Sequence, residues 1–219
     1  MAEIYPTILT DQFEIFQQQV RAAEGFARLL HIDIADGRFV PSRSITSADL
    51  QAVAPTIPFE IHLMVDHPDD VVGDYVAVGA KRIIVHHGKG REESEQLFRQ
   101  IREAGCEAAL GVSPMTSMTD LVPYLSFLQQ ITFLAVEPGF QGGALVPGVI
   151  HTVRGFRMEH AEIPVEVDGG IKLTNVEMVA ETGADRFVIG SGIWKTENPA
   201  ATYEAFVSQF EKAFSSHAP

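Results

Sequence analysis

Residues 79–112 read GAKRIIVHHGKGREESEQLFRQIREAGCEAALGV and contain two apolar runs separated by a longer amphipathic stretch. The short run Arg82–His86 is apolar and rich in β-branched residues, which predicts a strand. Glu92–Ala104 carries apolar residues at helical spacing, and Gly105 follows as a helix-ending residue. A second apolar run, Glu107–Val112, predicts the next strand. A strand, a helix and a strand in this order form a crossover unit, which joins two parallel strands.

The same alternation of short apolar runs and longer amphipathic stretches continues along the whole chain. It predicts eight strands, at Ile4–Leu9, Leu29–Ile34, Phe59–Val65, Arg82–His86, Glu107–Val112, Thr132–Val136, Pro164–Val167 and Arg186–Ile189. It predicts eight helices, at Phe13–Glu24, Ser47–Val53, Pro68–Val78, Glu92–Ala104, Met118–Tyr124, Gly148–Met158, Asn175–Glu181 and Pro199–Phe214. Four predicted helices end at a glycine that favours a left-handed cap, at Gly25, Gly79, Gly105 and Gly183.

The number of strand–helix units distinguishes between the possible sheets. Eight units in 219 residues average about 27 residues each, close to the minimum for a strand, a helix and two short loops. An open sheet has two unpaired edges, whereas a closed barrel of eight parallel strands has none. We therefore predict an α/β fold, a (β/α)8 barrel that forms a single domain over residues 1–219. Functional residues are expected at the C-terminal ends of its strands.

The composition excludes several classes of protein. A formal charge of −13 and the absence of a run of Lys or Arg argue against a nucleic-acid partner. Cys106 is the only cysteine, so an internal disulfide framework is excluded. No segment approaches the roughly 18 apolar residues of a membrane span, and the N-terminus lacks the features of a signal peptide. We expect a cytoplasmic protein with neither a nucleic-acid nor a membrane partner.

Two histidines and two aspartates fall at predicted strand ends. His31 and Asp33 are two residues apart on the second strand, so both side chains point into the barrel. His62 lies in the third strand and Asp168 follows the seventh. Taken singly, these residues are explained by a buried His–Asp hydrogen bond, a core histidine and a turn-capping aspartate. Together they form a candidate site for Zn²⁺, Mn²⁺, Fe²⁺ or Co²⁺. Only one of His86-His87 is expected to point inward, and neither to bind a metal.

Glycines are concentrated in the loops that follow the last three strands. The three stretches are Pro138–Gly143, Asp168–Ile171 and Gly190–Ile193. Glycine lets backbone N–H groups turn toward an anion, and the loops after strands seven and eight bind phosphate in many barrels of this kind. Turns alone also require glycine. The loops favour a small molecule that carries a phosphate group.

The ordered set of motifs resembles the ribulose-phosphate 3-epimerase family over almost the whole chain. Pro6-Thr-Ile-Leu9 resembles the family's opening Pro-Ser-Ile-Leu. The stretch His31–Pro41 resembles its motif His-x-Asp-x-Met-Asp-Gly-x-Phe-Val-Pro. Further family motifs follow at the expected strands, at His62–Val65, Val136–Phe140, Val167–Ile171 and Gly190-Ser191.

The resemblance implies an isomerase that converts D-ribulose 5-phosphate to D-xylulose 5-phosphate, and a homo-oligomer. It implies that His31, Asp33, His62 and Asp168 bind one divalent metal ion, with Zn²⁺ favoured, and that the two aspartates are the acid and the base. Inversion removes a proton from one face of carbon 3 and returns one to the other, so a carboxylate is needed on each side. The implied substrate-binding residues are Thr7, Met64, Gly139, Gly142, Gly143, Gly169, Gly170, Gly190 and Ser191.

Several residues near the expected site depart from the family's pattern. Ala35 and Leu134-Ala135 replace Met and Met-Thr or Met-Ser, Ser113 replaces Asn, and Gly88 replaces Glu. Such residues orient ligands and shield the intermediate from water, so these departures leave both the substrate and the rate open. The alternatives are a ketohexose 6-phosphate 3-epimerase, a non-catalytic sugar-phosphate-binding barrel and a phosphosugar decarboxylase. The decarboxylase requires a lysine between aspartates at a strand end, and Asp33-Ile-Ala-Asp36 has none.

Overall fold

A computed structural model describes residues 2–86, 90–114, 116–136 and 142–216. Its strands are all parallel and pair in chain order, and the barrel closes because β1 pairs with both β2 and β8. The strands are β1 (Glu3–Ile8), β2 (Leu30–Ala35), β3 (Phe59–Met64), β4 (Arg82–His86), β5 (Glu107–Val112), β6 (Gln130–Leu134), β7 (Val165–Asp168) and β8 (Arg186–Ile189). The predicted (β/α)8 fold is confirmed.

Helices alternate with the strands and cover the outside of the barrel. They are α1 (Phe13–Ala23), α2 (Ser47–Val53), α3 (Pro68–Ala77), α4 (Arg91–Glu103), α5 (Met118–Leu121), α6 (Gly148–Glu159), α7 (Val176–Ala180), α8 (Ser191–Trp194) and α9 (Pro199–Ser216). The predicted helix Met118–Tyr124 is wrong in its second half, which is a 3₁₀ turn over Val122–Phe127. Pro123 lacks the backbone N–H that would continue the α-helix. No helix in the described ranges is both long and apolar enough to cross a membrane.

Some predicted boundaries also shift, with consequences for the site. β6 begins at Gln130, not Thr132, because Gln130 already pairs with Ala109 of β5. Asp168 is the last residue of β7 rather than the first residue after it. The short helix α8 has no counterpart in the sequence prediction, since four residues are too few to show a helical period.

The glycine caps are mostly as predicted. Gly79, Gly105 and Gly183 have φ angles of 93°, 86° and 67°, so each ends its helix in the left-handed region. Gly25 is not among the described glycines with positive φ, and its N–H donates to the carbonyl of Ala22 in an ordinary turn. The prediction of a left-handed cap at Gly25 was therefore wrong.

The apolar core lies between the barrel and its helices. Ile32 and Ile61 are fully buried on the outer face of the strands. On β8, the ring of Phe187 stacks on Phe210 of α9 with the ring centroids 4.1 Å apart. Full burial of one such side chain stabilises the fold by about 1.5–3 kcal/mol. The helix layer is thus held to the barrel by hydrophobic burial and leaves the inner face free for polar residues.

The interior of the barrel is polar, which is the feature that positions the site. Alternate residues of each strand point inward, and here they include Glu60, Arg82, Thr132 and Glu166, all fully buried. Thr132 Oγ1 donates to Glu166 Oε1 at 3.0 Å, and Arg82 forms an ion pair with Glu60. A buried polar group must be paired to be tolerated. These cross-strand pairs therefore form a connected network beneath the C-terminal rim.

Candidate functional site

The structure brings His31, Asp33, His62 and Asp168 together at the C-terminal rim of the barrel. One ligand atom from each of the four residues lies within 4.8 Å of the others, and all four side chains are buried. His62 Nδ1 is 2.9 Å from Asp33 Oδ1 and 3.6 Å from Asp168 Oδ2. His31 Nε2 is 3.4 Å from Asp33 Oδ1. The four side chains come from β2, β3 and β7, and the closure of the barrel brings β7 close to the other two strands.

The chemistry of the four side chains fits a divalent cation. His31 Nε2 is buried and makes no hydrogen bond among the described atoms, although it faces Asp33. An unsatisfied buried nitrogen is unfavourable unless another group occupies the space in front of it. Two imidazoles and two carboxylates suit Zn²⁺, Mn²⁺, Fe²⁺ or Co²⁺. This buried His/Asp cluster is therefore able to bind a divalent metal.

Glu60 sets the orientation of the His31 ring. His31 Nδ1 lies 2.8 Å from Glu60 Oε1, so the ring donates from Nδ1 and turns Nε2 toward Asp33. Glu60 is itself paired with Arg82, and burial alone would raise its pKa. The hydrogen bond from His31 and the charges of His31 and Arg82 outweigh burial and lower the pKa of Glu60 to about 2. Glu60 thus stays ionised under His31.

A second group, His31 with Glu60 and Glu166, also brings three potential metal ligands together. Here Arg82 already supplies a buried positive charge against Glu60. Burial and the neighbouring charge of Glu60 raise the pKa of Glu166 well above its ordinary value. The raised pKa favours the neutral form of Glu166, and Arg82 balances the charge of Glu60 in this lower group without an added cation.

The two aspartates of the upper cluster have different proton affinities. Burial would raise the pKa of Asp33, but the adjacent His31 ring and the hydrogen bond with His62 outweigh burial and hold it well below its usual range. Burial raises the pKa of Asp168 to about 6, and the negative charge of Asp33 adds to this rise. One carboxyl group is thus ionised while the other can hold a proton near neutral pH. A pair with separated pKa values is suited to act as base and acid.

A cleft opens above the four residues, and nearly all the predicted substrate-binding residues line it. Its walls include Asp33, His62 and Asp168 with the predicted Thr7, Met64, Gly142, Gly143, Gly169, Gly170, Gly190 and Ser191. Thr7 Oγ1 donates to Asp33 Oδ2 at 2.8 Å, and the indole N–H of Trp194 donates to the Thr7 carbonyl at 2.7 Å. Thr7 therefore fixes the second oxygen of Asp33. The predicted Gly139 lies outside the described residues, as does the substituted Gly88.

The glycines of the cleft occupy conformations and spaces that exclude side chains. Gly169 and Gly170 have φ angles of 96° and 70°. A Cβ on Gly169 would lie 2.6 Å from Val136 Cγ2, and one on Gly170 would lie 2.8 Å from Leu145 Cα. Loops packed this closely expose backbone rather than side chains to a ligand. No Lys or Arg lines the cleft in the described part of the chain, so an anion in it would depend on backbone N–H groups and on the hydroxyl of Ser191.

Two acidic residues near the cluster were not identified from the sequence, and a third polar residue, His86, was identified only as one of two histidines that could point toward the site. Glu60 and Glu166 lie two residues before His62 and Asp168, so strand alternation alone sends them inward beside the ligands. The signal was present in the sequence. The sequence predicted no specific partner for His86. In the structure its Nε2 lies 2.8 Å from His62 Nε2. The substituted Ala35 packs against Val40 and Met64, where the family has a methionine.

The comparisons with known proteins agree on one family. Residues 3–194 match the model of the ribulose-phosphate 3 epimerase family. The chain is 34% identical over 208 residues to the ribulose-phosphate 3-epimerase of Mycobacterium leprae, covering 92% of each chain. It is 34% identical over 199 residues to the enzyme of that name from Escherichia coli strain K12, covering 87% of this chain and 88% of the other. Proteins of this name are isomerases.

Solved structures with lower sequence identity share the fold. The KGPDC structure from Streptococcus mutans superposes with a TM-score of 0.74 at 12% identity, covering 98% of this chain and 99% of that one. A 3-hexulose-6-phosphate synthase gives a TM-score of 0.69 at 13% identity, covering 94% of this chain and 99% of that one. At such identities the likeness extends to the barrel architecture alone.

Proposed function

Because the chain belongs to the ribulose-phosphate 3-epimerase family, we propose that it inverts carbon 3 of D-ribulose 5-phosphate to give D-xylulose 5-phosphate. The observation that carries this proposal is the buried group of His31, Asp33, His62 and Asp168, whose ligand atoms lie within 4.8 Å of one another. A glycine-lined cleft adjoins it. An acid and a base beside a phosphate-sized cradle are the parts that a phosphosugar epimerase needs.

Asp33 and Asp168 are proposed as the two proton-transfer groups. They come from β2 and β7, so they approach the cleft from different strands and can flank a bound ketose. The low pKa of Asp33 keeps it ionised as the base in one direction, while the raised pKa of Asp168 lets it hold the proton that it returns to the other face. In the reverse reaction the roles exchange. Thr7 holds Asp33 through its second oxygen and so fixes the direction of its free lone pairs.

The same four residues are proposed as the ligands of a divalent cation, with Zn²⁺ favoured. When bound, such a cation supplies a Lewis acid that stabilises the negative charge of the enediolate formed at carbons 2 and 3. The chain's own contribution is to orient the ligands. Glu60 fixes the ring of His31 from below, and the hydrogen bond to Asp33 fixes His62 Nδ1.

The phosphate group is proposed to bind at the glycine loops. Gly142, Gly169, Gly170 and the Gly190-Ser191 turn line the same cleft as the two aspartates. Backbone N–H groups bind such an anion without an added positive charge. From the family we further propose a homo-oligomer that acts on this metabolite in the cytoplasm, in the pentose phosphate pathway, with residues 1–219 as one barrel domain.

The test is product formation by the purified, Zn²⁺-loaded protein, followed by NMR with D-ribulose 5-phosphate as substrate. We expect D-xylulose 5-phosphate from the wild type and a loss of at least about a hundredfold in Asp33→Asn and Asp168→Asn, the range of general acid–base catalysis. Asp74→Asn changes an exposed aspartate of α3 and is the matched control, which should retain full activity. Equal activity in all three variants would contradict the proposed roles.

A ketohexose 6-phosphate is the second candidate substrate. This chain has Ala35 and Leu134 where the family's pattern has methionine, and Leu134 lines the cleft. This difference favours a different substrate. Its assay runs beside the first, at equal enzyme and substrate concentrations. A kcat/KM higher for the hexulose than for the pentulose would assign it as the substrate, and metal binding without turnover of either would support a non-catalytic barrel.

A further inference from the structure

His86 is the last residue of β4, and its ring lies against the ring of His62 on the neighbouring strand. The two Nε2 atoms are 2.8 Å apart, and the ring centroids are 5.0 Å apart at an angle of 36°. A contact of this length between ring nitrogens is a hydrogen bond. It engages the nitrogen of His62 that faces away from Asp33 and Asp168.

We propose that His86 is a positioning residue that holds His62 with Nδ1 directed at the two aspartates. The proposal rests on the metal-binding role of His62 in the proposed function. Nδ1 of His62 is 2.9 Å from Asp33 Oδ1, so it is the nitrogen on the ligand side. A neutral imidazole that offers a lone pair from Nδ1 carries its proton on Nε2. In that state His86 Nε2 accepts the hydrogen bond from the Nε2–H of His62, and a partner on the second nitrogen is the usual way in which a ligand histidine is oriented.

The packing around His86 holds its ring in place. His86 pairs in register with Gly111 of β5, and a Cβ added to Gly111 would lie 3.0 Å from His86 Cε1 and 3.1 Å from Nε2. On another side the ring of Phe39 lies 4.9 Å away, centroid to centroid. A side chain at residue 111 would therefore crowd the ring and require it to move by a few tenths of an ångström. The niche fits an imidazole between Phe39, His62 and the β5 backbone.

The chemistry of imidazole explains why a histidine suits this position. When His62 Nδ1 carries a proton for Asp33, its Nε2 is an acceptor and needs a donor; when Nδ1 is a lone pair, Nε2 needs an acceptor. His86 serves both states by exchanging its own tautomer. His62 is fully buried, so its Nε2 has no water to replace a lost partner. His86 itself is absent from the group of four that lies within 4.8 Å, so its role is to orient a ligand rather than to be one.

The test compares side chains at position 86 that differ in what they present to His62. His86→Phe fills the niche without a nitrogen, and His86→Asn has an amide that is too short to reach. His86→Gln carries an amide on a longer side chain that can donate or accept at His62. His151→Phe changes an exposed histidine on α6 and is the matched control.

The readouts are the dissociation constant of Co²⁺, measured by competition with a chelator, the visible absorption spectrum of the bound Co²⁺, and kcat and KM. We expect the Phe and Asn variants to bind Co²⁺ about 10–100-fold more weakly, the range for loss of such a partner, with an altered spectrum and a lower kcat. The Gln and His151 variants should stay within a few-fold of the wild type. If the Phe variant does not fold, the comparison of Asn with Gln carries the same test.

The possible failures are distinguishable. A wild type that binds no Co²⁺ and forms no epimer would contradict the proposed function and this inference with it. A wild type that binds Co²⁺ and turns over substrate, with Asn and Phe variants of equal affinity and spectrum, would overturn the role of His86 alone.

Discussion

Replacing Arg82 with methionine removes the only arginine that is fully buried among the described residues, and we expect a large loss of stability. Arg82 is paired with Glu60, and its Nε donates to Glu107 Oε2 at 2.9 Å. Glu60 is fully buried, whereas 36% of the Glu107 side chain is exposed. The loss therefore arises mainly at Glu60, because Glu107 can turn to water.

The magnitude follows from the buried charge that remains. Removing one partner of a buried ion pair costs about 3–5 kcal/mol, since the other charge stays in a low-dielectric interior. The pKa of Glu60 in the folded protein is lowered, so its stabilising contribution is present above its ordinary value of 4.5 and is lost as pH falls toward about 2. Without Arg82 this pKa rises. The deficit of Arg82→Met should then be greatest near pH 7 and shrink below about pH 5 as Glu60 takes up a proton.

Urea unfolding followed by circular dichroism measures this loss. With a slope of about 2–3 kcal/mol per molar urea, the midpoint should fall by about 1–2 M. The double variant Arg82→Met with Glu60→Gln removes both charges and should recover at least half of the loss. Arg91→Met, at an exposed arginine paired with Glu95, should leave the midpoint unchanged. A loss below about 1 kcal/mol in the single variant, or no recovery in the double variant, would refute the reasoning.

Three further predictions concern the site. Burial raises the pKa of Asp168 to about 6, and hydrogen bonds to carboxylates raise the pKa of His31, so both protons compete with a metal. Calorimetry in buffers of different ionisation enthalpy should therefore detect more protons released per Zn²⁺ at pH 5.5 than at pH 7.5, and a constant number would contradict this. Gly170→Ala places a Cβ 2.8 Å from Leu145 Cα, at a residue whose φ angle is 70°. In a steady-state assay the KM for the sugar phosphate should therefore rise at least about tenfold, whereas the KM for unphosphorylated D-ribulose should not change. Lys195 does not line the cleft, but its Nζ would lie 3.9 Å from a Cβ at Gly142, so its charge can add to the binding of an anion by the backbone N–H groups. Lys195→Met should therefore raise KM by about 3–10-fold at low salt and less at 0.5 M salt, and a salt-independent effect would exclude a charge interaction.

Much of this arrangement was predictable from the sequence, because parallel strands have a period of two and barrels carry their sites at one rim. That period sends His31 and Asp33 inward together, and barrel closure brings Asp168 beside them. The strand boundaries were less accurate. Gln130 belongs to β6 because of its pairing with β5, and no local pattern around residue 130 reveals that partner.

The polar network under the site could not be predicted in the same way. The inward direction of Glu60 and of Arg82 follows from strand alternation, but their pairing depends on the register between β3 and β4, which places Glu60 opposite Arg82. Register between parallel strands is set by the packing of the whole barrel. His86 is a similar case, since the space for its ring beside His62 depends on the small residue Gly111 of the next strand.

The most direct test of the central claim is solvent exchange at carbon 3 in deuterated water. The Zn²⁺-loaded wild type is incubated with D-ribulose 5-phosphate, and NMR follows both the carbon 3 proton and the formation of D-xylulose 5-phosphate. We predict that deuterium enters carbon 3 as the epimer forms, and that Asp168→Asn abolishes epimer formation, because proton transfer then lacks the group on one face. Epimer that forms with its original carbon 3 proton fully retained, or at the wild-type rate in Asp168→Asn, would contradict the two-aspartate account.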